Sequence, residues 1–186
     1  NELWVLLAEK AWAKLYNSYS ACEFGFMDEA MEYLLGCPGL RFITKNQDEN
    51  EIWSTISDAY YKNYFVCAAT HTNISEEQTG LIATHAYTIM SIYKIGDYRL
   101  IKLRNPWGKF EWKGDFSDDS PLWNETLKKE VGYLNADDGI FFMTLKDFKQ
   151  HFQFYSIGHY EEDWEYTYME VESHPNHAEY FKITID

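Results

Sequence analysis

One stretch constrains this chain more than any other: residues 81–112, LIATHAYTIMSIYKIGDYRLIKLRNPWGKFEW. Apolar and polar residues alternate over 85–93, Gly96-Asp97 supplies a short turn, and a second alternating run over 98–103 leads into Asn105-Pro106-Trp107-Gly108. Period-two alternation on both sides of a Gly-Asp turn predicts an antiparallel β-hairpin. Its arms fold back on each other, so His85 and Asn105 meet at the open end. A two-residue turn at Gly96-Asp97 would put them on opposite faces, because facing residues would then sum to an odd number. A longer loop, of three or five residues, or a bulge near Asn105 returns them to one face. Pro106 cannot donate to a ladder and stands where such an interruption is expected.

The pairing has chemical content. An imidazole that titrates near neutrality serves as general base and then as general acid. An amide oxygen held at one ring nitrogen fixes the tautomer and frees the other for a nucleophile. His plus Asn is the orienting half of a Cys-His-Asn triad. Spacing alone equally allows a His and an Asn that merely end two ordinary strands.

The wider wording carries more. THAYTI, then YRLIKLRNPWG, then EWKGDFSDDSPLW resembles the segment of calpain-family, papain-like cysteine proteases that bears their catalytic His and Asn. The opening LWVLLAEKAWAKLYNSYSA is similar to the helix that begins the second half of that core. YFVCAAT resembles one of its core strands and DDGIFFMTLKDF its end. The resemblance implies an α+β fold: an antiparallel sheet or barrel packed with N-terminal helices, the β-rich half of a papain-like core. It implies His85 as base, Asn105 as its orienting partner and Trp107 as the indole shielding their hydrogen bond. It further implies a regulatory Ca²⁺ held by Glu111, Asp118, Asp138 and the Ala136 carbonyl. Ca²⁺ takes about six to eight oxygens, and Ile140 stands where the family has its last carboxylate, which should weaken or abolish the site. Thr84 stands where calpains usually have Gly, adding a β-branched side chain beside the base.

Cysteine usage matters for the nucleophile. Calpains carry theirs in a preceding subdomain, in a Gln- and Gly-rich turn leading to Cys-Trp, and no such context occurs here. The three cysteines, an odd number, fit no disulfide framework and suit a reducing, cytoplasmic setting. Cys22, Cys37 and Cys67 read as small buried or turn residues. The expected partner is therefore a Cys-bearing subdomain of the same parent chain, with protein substrates, and this chain alone should be inactive. A catalytically inactive, calpain-like regulatory or interaction module is the alternative.

With 30 acidic against 16 basic side chains in 186 residues, the net charge of −14 argues against a nucleic-acid partner. No apolar run reaches membrane-spanning length, no signal-peptide pattern opens the chain, and the first residue is not Met, so an excised piece of a longer protein is expected.

In chain order, residues 3–20 predict an amphipathic helix burying Leu3, Leu7, Ala11, Leu15 and Tyr19, with Trp4, Ala8 and Trp12 widening the stripe. A second helix is expected over 28–35, stopped by Gly36, Pro38 and Gly39, then a polar loop over 46–51 and a third helix over 51–62. A strand over 64–69 and a polar, acidic connection over 71–80 precede the hairpin. A buried strand over 139–144 and a helix over 145–152 close the core. Residues 1–152 are expected to form the protease-core subdomain. Residues 153–186 are expected to end it and open a following β-sandwich, with FYSIGHY, WEYTYMEVES and AEYFKITID alternating like strands of a small sheet and His174-Pro-Asn-His177 as a turn rather than a metal pair.

Overall fold

The computed structural model describes residues 3–164. Six strands form one antiparallel sheet in the order β1-β6-β2-β3-β4-β5. The strands are β1 (Gly39–Ile43), β2 (Phe65–Thr70), β3 (Ala86–Ile95), β4 (Tyr98–Arg104), β5 (Ile140–Thr144) and β6 (Phe152–Gly158). The helices are α1 (Trp4–Leu15), α2 (Met27–Leu35), α3 (Glu49–Tyr61), α4 (Glu76–Thr79), α5 (Glu125–Val131) and α6 (Leu145–His151). This is the α+β architecture of a papain-like core half.

The sheet is buried on both faces. Ile52, Ile56 and Ala59 of α3 and Phe148 of α6 pack over Val66, Tyr87, Ile89, Ile101, Phe141 and Met143. On the opposite face Leu100 and Phe142 pack with Phe116, Trp123 and Val131. The unbroken apolar run GIFFMT is the signature of such a strand, since neighbouring side chains must both find a core.

The hairpin turns as tightly as Gly96-Asp97 suggests: Ile95 faces Tyr98, and Gly96 takes a φ of 56°. The mirror-image turns that match strand twist favour glycine at such a position. The parity problem is solved elsewhere than expected. Pairing slips between Ile89 and Ser91, so Met90 is a bulge on the first arm and Asn105 needs no bulge of its own. The burial pattern shows the same slip, with Tyr87 and Ile89 buried before it and Ile92 after it. His85 and Asn105 thereby come to one face.

Several expectations need correction. α1 ends at Leu15, where Asn17 enters the left-handed region with φ 67°. Its apolar stripe is not core: Leu3, Trp4, Leu7, Leu15 and Tyr19 are each more than half exposed, and only Ala13 of the helix is buried. α3 starts earlier than expected because Asp48 and Glu51 form a reciprocal capping box, and its stabilisation of the first turn was legible as D-x-x-E. Strand β1 and helices α4 and α5 were not anticipated. β6 does not open a separate small sheet; it inserts between β1 and β2, so the main sheet continues past residue 152. Of the later strands expected over WEYTYMEVES and AEYFKITID, and of the His174–His177 turn, all but Trp164 lie outside the described residues.

α2 is fastened to the sheet by a charged anchor. Arg41 donates two hydrogen bonds to Asp28, at 2.9 and 2.8 Å, while the Ser156 hydroxyl donates a third at 3.0 Å. Burial alone would raise the Asp28 pKa, but these donors bring it below the usual carboxylate range.

Because Met90 has no partner in the ladder, deleting it should leave every other β3–β4 pair intact. The deletion variant is expected to unfold cooperatively in urea, with a loss below about 2 kcal/mol. Loss of the cooperative transition would mean that the bulge does more than correct the register.

Candidate active site

His85 precedes β3 and Asn105 follows β4, both where the ladder ends. Asn105 is fully buried. Its amide nitrogen Nδ2 donates to the carbonyls of Lys109 at 2.7 Å and Phe110 at 3.2 Å. That fixes which way the amide points, and Oδ1 accepts from the Trp107 backbone N–H at 3.1 Å. The same oxygen lies 2.9 Å from His85 Nε2. An amide oxygen only accepts, so Nε2 carries the proton of the neutral ring and Nδ1 presents its lone pair. Nδ1 is the nitrogen available to an incoming thiol.

The Trp107 ring lies over this pair, 4.4 Å from the His85 ring centre, and Tyr87 meets the imidazole edge-on at 5.0 Å. Tyr87 is itself held, because its hydroxyl accepts from the Ile82 N–H at 2.8 Å. Burial pushes its phenol up to about 12, keeping it neutral.

Two supporting residues escaped sequence reasoning. Thr70, at the end of β2, donates through its hydroxyl to the Ile82 carbonyl at 2.7 Å and accepts from the His85 N–H at 3.0 Å. It thus pins the segment that enters the catalytic position. The signal was a threonine closing an apolar strand, which burial obliges to find partners. Gly139 accepts the Asn105 N–H at 2.8 Å and has a φ of 82°. A Cβ there would lie 2.9 Å from the Asn105 carbonyl oxygen, so only glycine allows the two segments to approach.

Thr84 is the site's strained residue. Its φ of 51° falls in the left-handed region, where a β-branched side chain is disfavoured. That explains why glycine suits this position.

The three cysteines are free thiols, each with its own surroundings. Cys22 Sγ donates to the Ser18 carbonyl at 3.2 Å, and Cys37 is buried against the Met31 carbonyl. Burial pushes the Cys67 thiol up to about 11, where it is inert.

The carboxylates carried over as calcium ligands are neighbours with other duties. Glu111 Oε1 accepts the Asp138 N–H at 3.0 Å and the Gly139 N–H at 2.6 Å, so it props the turn that supports Asn105. Asp138 Oδ1 accepts the Ile140 N–H at 2.9 Å. Burial, and then repulsion from neighbouring carboxylates, raises the pKa of Glu111 and of Asp118. The donors are hard oxygens with uncompensated charge, which suits Ca²⁺. Yet among the described residues no three His, Cys, Asp or Glu side chains are gathered to share one ion. As arranged, Glu111, Asp118 and Asp138 are not an assembled metal centre.

Three outcomes are expected. Asn105→Ala strands two carbonyls, the Trp107 N–H and His85 Nε2, and should cost about 2–3 kcal/mol in urea unfolding. Thr84→Gly should gain about 1 kcal/mol by relieving backbone strain, net of glycine's extra unfolded freedom. Raised carboxylate pKa values mean that Glu111 and Asp118 favour folding most below their unfolded values and lose this as pH rises through the folded ones. Stability measured relative to Glu111→Gln should therefore fall as pH rises above the ordinary carboxylate range of about 4; an unchanged difference would contradict the assigned shift.

The family model described as "Calpain family cysteine protease" matches residues 1–159. Calpain-14 of Homo sapiens is 40% identical over 159 residues, which is 82% of this chain and 23% of that protein. Calpain-9 of Mus musculus is 37% identical over 164 residues, covering 82% and 24%. The calpain-type cysteine protease DEK1 of Arabidopsis thaliana is 32% identical over 163 residues, covering 82% and 8%. The chain thus spans about a quarter or less of the length of these relatives. With a family model matched over most of its length and relatives of 30% identity or more, this chain belongs to the calpain family of cysteine proteases.

Proposed function

We propose that this chain is the His/Asn-bearing half of a calcium-dependent cysteine endopeptidase, completed by a Cys-bearing half of the same parent chain. The observation that carries the reading is the His85 Nε2 to Asn105 Oδ1 contact at 2.9 Å, under an indole and with Nδ1 left for a thiol. In the assembled site the thiol gives its proton to His85 Nδ1 and the thiolate attacks the scissile carbonyl. The same nitrogen then returns the proton to the leaving amine. Asn105 holds the ring through both steps, and Trp107 keeps water from the bond that holds it.

The surface of α1 supports an absent half. Leu3, Trp4, Val5, Leu6 and Leu7 expose half or more of their area, an apolar patch typical of an interface. Covering it with the Cys-bearing half gives these side chains the core they lack. A regulatory Ca²⁺ would act at Glu111, Asp118 and Asp138, where it would neutralise carboxylates that now repel one another. Holding it would require those groups to rearrange.

Mixed with its Cys-bearing half, this chain should acquire Ca²⁺-dependent cleavage of an unstructured protein substrate, and His85→Ala should abolish it. Absence of any gain while the halves bind would overturn the reading. Leu7→Asp should weaken binding of the halves about tenfold or more, as read by calorimetry. One observation favours a second reading, a calpain-like module without catalysis: the strained Thr84 beside the base. Binding without cleavage in the same mixture would select it.

A further inference from the structure

We infer that the cleft between α4 and the segment Trp107–Lys113 receives a cationic side chain, lysine or arginine, that the substrate carries on the leaving-amine side of the scissile bond. The inference rests on the protease reading above and names a preference of that same site. The cleft measures about 530 Å³ and is walled by Ile82, Trp107 and Phe110, with Glu76, Glu77 and Glu111 around it. Trp107 is 56% exposed and Phe110 47%, and their rings meet edge to face at 6.4 Å.

Position follows from chemistry. His85 protonates the departing amine, so the amine half of the substrate must pass His85. The Trp107 ring lies directly against the imidazole, and the cleft opens along that ring. A side chain close behind the leaving nitrogen is within reach of it.

The cleft is also built rather than incidental. The Lys113 N–H donates to the Thr79 carbonyl at 2.9 Å and its ammonium to the Glu77 carbonyl at 3.0 Å, lacing the two walls together. At the floor, a Cβ on Gly80 would lie 1.9 Å from the Glu111 carbonyl oxygen, so the walls touch through bare backbone. Glu76 is oriented by the Ala83 N–H, which it accepts at 3.0 Å.

Charge selects the occupant. The lining is net acidic, with Glu76, Glu77 and Glu111 against Lys113, whose ammonium the Glu77 carbonyl already holds. An ammonium or guanidinium meets carboxylates at its tip and aromatic faces along its stem, and cations favour both. The Phe110 ring already attracts one: Lys109 Nζ lies 5.1 Å from its centre. An acidic side chain would be repelled, and an uncharged one would gain nothing from the carboxylates.

The test uses the complete protease, both halves together. Matched peptides carry lysine, norleucine or glutamate at the first, second or third position after the scissile bond. At one of these positions kcat/KM for lysine should exceed that for norleucine about threefold to tenfold, the range of an exposed cation–π contact with a surface ion pair. The ratio should shrink in about 0.5 M salt and disappear in Glu77→Lys. Equal rates for lysine and norleucine at all three positions would overturn the inference while leaving the protease reading intact. So would a lysine preference that survives Glu77→Lys. Cleavage of no peptide at all would overturn the protease reading, and this inference with it.

Discussion

The Asn105 side chain is the contact on which the site's geometry depends. It is buried, and its one amide holds three things: the His85 imidazole, the Trp107 backbone and the carbonyls of Lys109 and Phe110. In a low-dielectric interior each such bond is stronger, and each missing one costlier, than in water. The turn after β4 therefore cannot relax without releasing the histidine. Its backbone is bound in turn by Gly139, which Glu111 props through two N–H bonds. A chain of hydrogen bonds thus runs from an acidic surface loop to the His85 ring.

That chain shapes how the acidic residues should be understood. Glu111 is both a carboxylate with uncompensated charge and a structural acceptor beneath Asn105. Through Gly139 this residue stands one turn removed from the Asn105 amide, so electrostatics at the loop and geometry at the site are mechanically linked. The same side chain also borders the cleft beside Trp107. One side chain on this flank therefore both supports the backbone beneath Asn105 and lines the cleft.

Several backbone exceptions fall in the segments that build the site. Thr84 and Phe110 take positive φ values, Gly80 and Gly139 permit close backbone contacts, and Met90 bulges from β3. Each departs from regular strand geometry where a side chain must be aimed. Strained conformations persist at such places because the surrounding structure over-determines them. Here the over-determination is visible as the Thr70 hydroxyl, bonded on both sides of the segment that carries Thr84.

Much of this was legible without coordinates. Alternation and the Gly96-Asp97 turn specified the hairpin, and antiparallel pairing then placed His85 beside Asn105, because short-range backbone geometry leaves little choice. The wording around NPWG pointed to the family. What local pattern could not decide was where parity would be corrected: a bulge at Met90 and one near Asn105 satisfy the same count, and only packing of Tyr87, Ile89 and Ile92 into one core chooses between them. Nor could periodicity tell which apolar stripe finds a partner. α1 has the amphipathic pattern of a core helix, yet its stripe is exposed because the sheet is already covered by α3 and α6. The sequence by itself determined the hairpin and the meeting of His85 with Asn105, since these depend on neighbours in the chain. Tertiary structure alone decided the bulge, the second duty of Glu111 and the role of Thr70, since these depend on contacts between distant segments.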